Sequence, residues 1–342
     1  MTHSLVCCEW NGGVARCPPN LGCEVGVPNG GAPKSSEPST PATQPLPTVP
    51  RPAPIHSTTG RPKPRNTMAE RLTISLPGRS LVIDASPLRA SSFAPFGDVV
   101  ENPQPTLHPS SAAATIANSP SPLPFNPVSA NQGSAIKYQH VTRFIDLYAQ
   151  APSSTPSTAV ASMFVCASRT LLPDPSSSSS SSEIFPVTVL ERHPYTTQTF
   201  IPLSASPAKR YLVIVAPSLP PSEQDRNLPV PASPCTNSPH VKNHKLPGRG
   251  LPDLRGLRAF IATSEQAVTY AAGTWHAPMA ALGEPGTALD FVVVQFANGV
   301  PVEDCQEVFL DGSVVGEEGV VPGEGAVLVV VPKGNGGRGA KL

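Results

Sequence analysis

What most limits the fold of this chain is the size and punctuation of its apolar runs. They fall at 160–166, 185–191, 198–203, 211–216, 257–263, 266–270, 289–296 and 326–331, and are rich in Val, Ile and Phe with proline or glycine at their borders. Such runs, about four to eight residues long, have strand length, and the punctuation between them makes turns. No segment keeps a 3.6-residue apolar period over three turns, so long amphipathic helices are excluded. Many short strands separated by turns imply an all-β sandwich or barrel with few short helices. Order is expected to begin at Ser80-Leu-Val-Ile-Asp84, with a short helix and turn at Phe93-Ala-Pro-Phe-Gly97.

Composition explains what lies between the runs. Proline supplies 45 of 342 residues, about 13% against a usual share of roughly 5%. Charged residues are only 14%. Long Pro/Ser/Thr tracts cannot bury enough apolar surface to offset the entropy of ordering. The chain therefore divides into a disordered extension (1–78), one β-domain (79–333) and a flexible tail (334–342). Flexible insertions are expected near 102–127, 150–158, 173–182 and 217–252. Met68 is a second place where the chain could start.

Lys+Arg and Asp+Glu balance at 24 each, so no global field draws nucleic acid or an acidic membrane. The basic residues of 51–65 alternate with proline as in a linker. No apolar run reaches the roughly 18 residues of a membrane span, and 1–13 lacks the apolar centre of a secretion signal. The reading is a soluble protein that is not secreted. Of the seven cysteines, Cys7, Cys8, Cys17 and Cys23 lack C-x-x-C spacing, which favours reduced thiols over a zinc site. The last residues, Ala340-Lys341-Leu342, have the small–basic–leucine form of a peroxisomal address. Location is thus cytoplasmic or peroxisomal, with the peroxisomal import receptor as an implied partner.

Two short segments carry chemistry. Glu191-Arg-His193-Pro-Tyr-Thr-Thr-Gln198 reads E-x-H-x4-Q, and Gly273-Thr-Trp-His276 reads G-x-x-H. Residues i and i+2 of a strand share a face, so Glu191 and His193 point one way and Arg192 the other, toward surface or a dimer interface. The turn after Pro194 lets Gln198 start the next strand beside them, and His276 arrives through the Gly273 turn. The spacing is similar to the metal-binding pattern of cupins, H-x-H-x3–4-E followed by G-x-x-H. A carboxylate replaces the first histidine here and an amide replaces the usual glutamate. His193, His276, Glu191 and Gln198 could together hold a divalent transition ion, less tightly than three histidines would. Trp275 reads as a pocket wall or core aromatic, and Cys305 as a bystander thiol. His240 and His244, four residues apart, sit in a proline-rich insertion. No P-loop, G-x-S-x-G elbow or G-x-G-x-x-G before a helix is present, and no organic cofactor is expected.

At this point the sequence resembles the ureidoglycolate lyases, also called ureidoglycolate hydrolases, and its long insertions look like those of a fungal member. The resemblance runs through Phe93-Ala-Pro-Phe-Gly-Asp-Val-Val-Glu101, Asn131-Gln-Gly133, Leu190-Glu-Arg-His-Pro-Tyr-Thr-Thr-Gln-Thr-Phe-Ile-Pro202, Asp253-Leu-Arg-Gly-Leu-Arg-Ala-Phe-Ile261 and Gly273-Thr-Trp-His-Ala-Pro278. It implies a cupin-like double-stranded β-barrel of jelly-roll type, a homodimer, and cleavage of ureidoglycolate to glyoxylate and urea. On that reading Glu191, His193 and His276 are catalytic, with Glu191 either a ligand or the general base. Gln198 orients the substrate, Asn131 binds it, and Lys137, in Ile136-Lys-Tyr138 beside the Asn131–Gly133 block, is a candidate for binding its carboxylate. Two alternatives stand beside this: another cupin-type metal enzyme (oxygenase or isomerase), and a non-catalytic cupin that binds a small acid.

Overall fold

The run 211–216 is apolar at every position, so its strand has to be covered on both faces. In the computed structural model, which describes residues 72–76, 78, 80–174, 181–204, 206, 209–232, 248–316 and 319–333, this is how it lies. Strand Arg210–Ala216 runs through an eight-stranded sheet with Arg258–Thr263 on one side and Trp275–His276 and Ala280–Leu282 on the other. Tyr211, Val213 and Val215 enter one core with Phe200, Val268, Tyr270, Phe291 and Val293. Leu212, Ile214 and Ala216 enter a second core with Val187, Leu190, Trp275, Val308 and Val329. Full burial of each such side chain contributes about 1.5–3 kcal/mol, so both cores hold this strand in place.

The first core is closed by a five-stranded sheet in the order Gly97–Val100, Ala267–Tyr270, Gln198–Pro202, Ala288–Ala297, Thr158–Ala167. A four-stranded sheet built on Val327–Pro332 and Ser182–Val187 borders the second. Together the sheets form a cupin-like β-sandwich, and the described residues include only three short α-helices, Ala90–Phe93, Pro109–Ala117 and Pro301–Asp304.

All the apolar runs are strands, with 185–191 broken at Thr188 where the chain passes from one sheet to the next. Other details differ from the sequence reading. Order starts before residue 79, because Thr73–Ile74 pairs in parallel with Gln306–Leu310. Pro109–Ala117, within the stretch 102–127, is a helix: Pro109 suits its first turn and His108 Nδ1 accepts from Ser110 N–H. Only Ala112 of this helix is buried, which is why its sequence shows no apolar period. In 150–158, Ser153 donates through N–H and Oγ to the Glu303 carboxylate at 2.8 and 2.6 Å. In 217–252 the returning end is core, with Leu251 buried beside Leu254. Residues 1–71, 175–180, 233–247 and 334–342, and with them Cys7, Cys8, Cys17, Cys23, His240, His244 and the Ala340-Lys341-Leu342 ending, lie outside the described residues. No helix among the described residues is long and apolar enough to cross a membrane.

Candidate active site

Antiparallel pairing brings the two short segments together. Glu191, on Val189–Arg192, stands directly opposite His276 on Trp275–His276, and directly opposite residues share a face. The Gly273 turn, at φ +78°, sends its N–H to the His193 carbonyl at 2.8 Å and locks one segment to the other. Gln198 opens the facing sheet opposite Tyr270. The Tyr270 ring lies flat on His276, with centroids 4.0 Å apart and planes at 10°. His276 Nε2 is 3.2 Å from Gln198 Oε1 and 3.5 Å from Glu191 Oε1, and the His193 and His276 ring centroids are 5.6 Å apart.

The hydrogen bonds on the far sides of the rings fix where the lone pairs point. His193 Nδ1 donates to the Asp304 carbonyl at 2.6 Å, and His276 Nδ1 to the Thr274 carbonyl at 2.9 Å. Burial, with the neighbouring His276 acting the same way, lowers His193 to about 4. A neutral ring protonated at Nδ1 leaves Nε2 as a lone pair. That atom is buried and has no hydrogen-bond partner. An unsatisfied buried polar atom costs about 1–3 kcal/mol, so it marks a place where something should bind. Gln198 spends its amide N–H on Gln295 Oε1 at 2.7 Å, which turns its oxygen inward. Burial raises the Glu191 carboxyl, but the contact with His276 Nε2 and the charges of His276 and His193 outweigh it and hold Glu191 below the ordinary carboxylate range.

Acceptor atoms thus converge around His276 Nε2, which calls for positive charge between them. A proton on Nε2 would serve Glu191 and Gln198 yet leave His193 Nε2 alone. A metal cation would serve all of them. Glu191, His193 and His276 form a group able to hold a metal ion, with ligand atoms within 4.8 Å of one another. Their donor set of imidazoles and a carboxylate suits a divalent transition ion, and both imidazoles already have the outer-shell carbonyl partner that metal-bound histidines use.

Other candidates fall elsewhere. Lys137 and Asn131 are exposed on and beside the hairpin formed by Val128–Ala130 and Ala135–Lys137, and no hydrogen bond joins either to the cluster. Arg192 does face away from Glu191, but not toward the surface: it is fully buried, with its guanidinium 4.4 Å over the Trp275 ring. The reason is that the sheet is covered on both sides, so the face opposite the site is a core. Cys305, distant from any histidine in sequence, places Sγ 3.9 Å from Glu191 Oε2. Burial and Glu191 push its thiol up to about 12, so it is a protonated neighbour rather than a nucleophile. Sequence reasoning missed Tyr270, Gln295 and Asp304. For Gln295 a signal existed, an amide interrupting the apolar run 289–296. For Asp304 none did, since its backbone carbonyl does the work.

Residues 80–317 match the family model for ureidoglycolate lyase. The chain belongs to the ureidoglycolate lyase family. A ureidoglycolate lyase of Schizosaccharomyces pombe is 32% identical over 225 residues, covering 66% of this chain and 89% of that protein. One from Saccharomyces cerevisiae is 33% identical over 191 residues, covering 54% and 80%. A bacterial ureidoglycolate lyase, from Azotobacter vinelandii, is 25% identical over 229 residues, covering 67% and 92%. The family match takes in both segments of the cluster, so Glu191, His193, Gln198 and His276 all lie within the part shared with this family.

Proposed function

We propose that the chain is a ureidoglycolate lyase, splitting ureidoglycolate into glyoxylate and urea in allantoin and purine nitrogen breakdown. The observation that carries this is the family match over 80–317, which takes in most of the β-domain and the whole cluster. Ureidoglycolate bears a hydroxyl and a ureido nitrogen on one carbon. Loss of the hydroxyl proton lets that oxygen form the aldehyde as the carbon–nitrogen bond breaks, and the departing nitrogen takes up a proton. No water is consumed. In this reading Glu191, held ionised by the histidines, takes the hydroxyl proton and can return it to the nitrogen, because both leave from the same carbon. Gln198 presents its carbonyl oxygen to the substrate's donors, and His193 and His276 align the reacting carbon. The residues that would hold a divalent ion are His193, His276, Glu191 and Gln198; when bound it would supply Lewis acidity that lowers the hydroxyl pKa. Asn131 and Lys137 have less support as substrate ligands, since both stand in the exposed hairpin.

The full-length protein incubated with racemic ureidoglycolate should release glyoxylate and urea in equal amounts without ammonia. Ammonia in place of urea would overturn the lyase reading. Chelation followed by single-ion addition, with calorimetry of ion binding alongside the assay, addresses the metal. Full activity in protein shown to be metal-free would reject it.

A second copy of the chain is the partner this reading expects. Strand Thr158–Ala167 is at the edge of the five-stranded sheet and, among the described residues, its ladder runs only along Ala288–Ala297. Its ten residues contain no charge, proline or glycine, and Met163 and Val165 are 58% and 70% exposed. Open edges are ordinarily blunted by charge, proline or a bulge; this one has neither charge nor proline. Antiparallel pairing with its own copy about Ser162–Met163 would set Val160 against Val165 and Ala161 against Phe164. Light scattering should give twice 35.6 kDa, and Val165→Lys with Met163→Lys should give the monomer mass. A wild-type monomer at micromolar concentration would sink this part of the reading.

A further inference from the structure

We propose that Arg192 is a positioning residue: from the face opposite the site, its guanidinium sets the distance between Glu191/His193 and His276. The role given to those three residues rests on the reading above, whereas the clamp itself is geometric.

Arg192 is 0% exposed, and no carboxylate lies within ion-pair distance among the described residues. Its charge is met by oxygen dipoles and an aromatic face instead. Nε donates to Gln306 Oε1 at 2.8 Å, and Nη1 to the Gly250 carbonyl at 3.1 Å with a longer contact to Gly248 at 3.4 Å. Nη2 donates to the Arg249 carbonyl at 3.0 Å, and the Trp275 indole lies 4.4 Å beneath. Burial lowers the guanidinium to about 10, so it stays charged near neutral pH.

Two of these partners, Trp275 and Gln306, stand next to residues that build the site, and the 248–250 carbonyls are tied to the first of them. Trp275 precedes His276, and its Nε1–H donates to Gly250 O at 3.0 Å, the same carbonyl that Arg192 uses. Gln306 follows Cys305, which touches Glu191, and Asp304, whose carbonyl orients His193. Gln306 is itself tied to the Val302 and Pro229 carbonyls. One planar group therefore joins strand Val189–Arg192, strand Trp275–His276, the 304–306 segment and the returning end of the 217–252 insertion. An apolar side chain of similar volume would fill this core without desolvating a charge. What it would lack is a planar cation whose N–H fork and face hold three other segments to its own strand at once.

The test uses the full-length protein as wild type, Arg192→Met, Arg192→Lys and Val329→Ala, the last removing buried volume from the same core on strand Val327–Pro332, which supplies none of the Arg192 hydrogen-bond partners. Thermal midpoints, kcat and KM with ureidoglycolate, and side-chain 15N–1H spectra of the histidines are recorded for each. Arg192→Met should lower kcat roughly 10–100-fold, as loss of an outer-shell partner does, with KM changed less. The His193 and His276 resonances should shift, Arg192→Lys should recover part of the rate, and Val329→Ala should lose thermal midpoint while keeping kcat. Unchanged kcat and histidine spectra in Arg192→Met would overturn the proposal. So would an equal fall of kcat in Val329→Ala at matched thermal loss. Should wild type fail to turn over ureidoglycolate, the functional reading falls, and the histidine spectra alone still decide the clamp.

Discussion

His276→Ala is expected to lower turnover of ureidoglycolate by about 10³-fold or more, the loss of a group that handles charge or protons at the reacting centre. Three site contacts end on that ring: Gln198 Oε1, Glu191 Oε1 and the stacked Tyr270 face. Alanine would remove the ring nitrogen on which the two inward oxygens converge, and with it the largest of the influences that lower the Glu191 carboxyl. Stability should suffer much less, because the stack contributes about 0.5–1.5 kcal/mol beyond burial and the oxygens beside it can take up water. His193→Ala should fall comparably, since it removes the other inward lone pair. Groups acting as a unit are non-additive, so the double variant should lose little beyond either single one. Steady-state kinetics with a thermal midpoint for each variant checks this. Less than a threefold change in kcat for His276→Ala would sink the assignment.

Gly97→Ala is the substitution expected to cost most stability, on the order of 4 kcal/mol, at the top of the usual range for single changes. Gly97 sits at φ +150°, where side chains are rarely found, and a Cβ there would overlap the Thr269 carbonyl oxygen and press on Ala271 N at 3.0 Å. The neighbours are backbone, so nothing can rotate away. Strand Gly97–Val100 would have to leave Ala267–Tyr270, its only ladder partner among the described residues. The damage should reach the site as well. Phe96 O accepts from Ala271 N and Thr274 Oγ1, and the Thr274 carbonyl accepts from His276 Nδ1. Denaturant unfolding should show the midpoint falling with little change of slope. A loss under about 1 kcal/mol would mean the two strands are not seated this closely.

These cases show how far residue order alone reaches. Glu191 and His193 were assigned to one face by strand alternation, and the structure pairs Glu191 with His276 on it. Gln198 followed from spacing and the turn after Pro194. Lys137 and Asn131 were attached to the site by family blocks, not by periodicity, and the chain folds them into a separate hairpin. Arg192 was assigned its direction correctly and its environment wrongly. Alternation gives the face a residue takes, and only the packing of a second layer says whether that face meets water. Tyr270 sits in a short apolar run like any core aromatic, and nothing local marks it as the floor under an imidazole.

The sequence by itself determined that this protein is all-β, which runs become strands, and which four polar side chains converge. Strand period and turn punctuation are local, and the spacings E-x-H-x4-Q and G-x-x-H constrain the geometry within each segment. The tertiary structure alone decided the rest: that the central sheet is buried on both faces, that carbonyls of Asp304 and Thr274 set the imidazole protons, and that the insertion's end returns to hold Arg192. Those contacts join residues far apart in the chain through backbone atoms, which every residue carries alike. Side-chain pattern therefore had no means of announcing them.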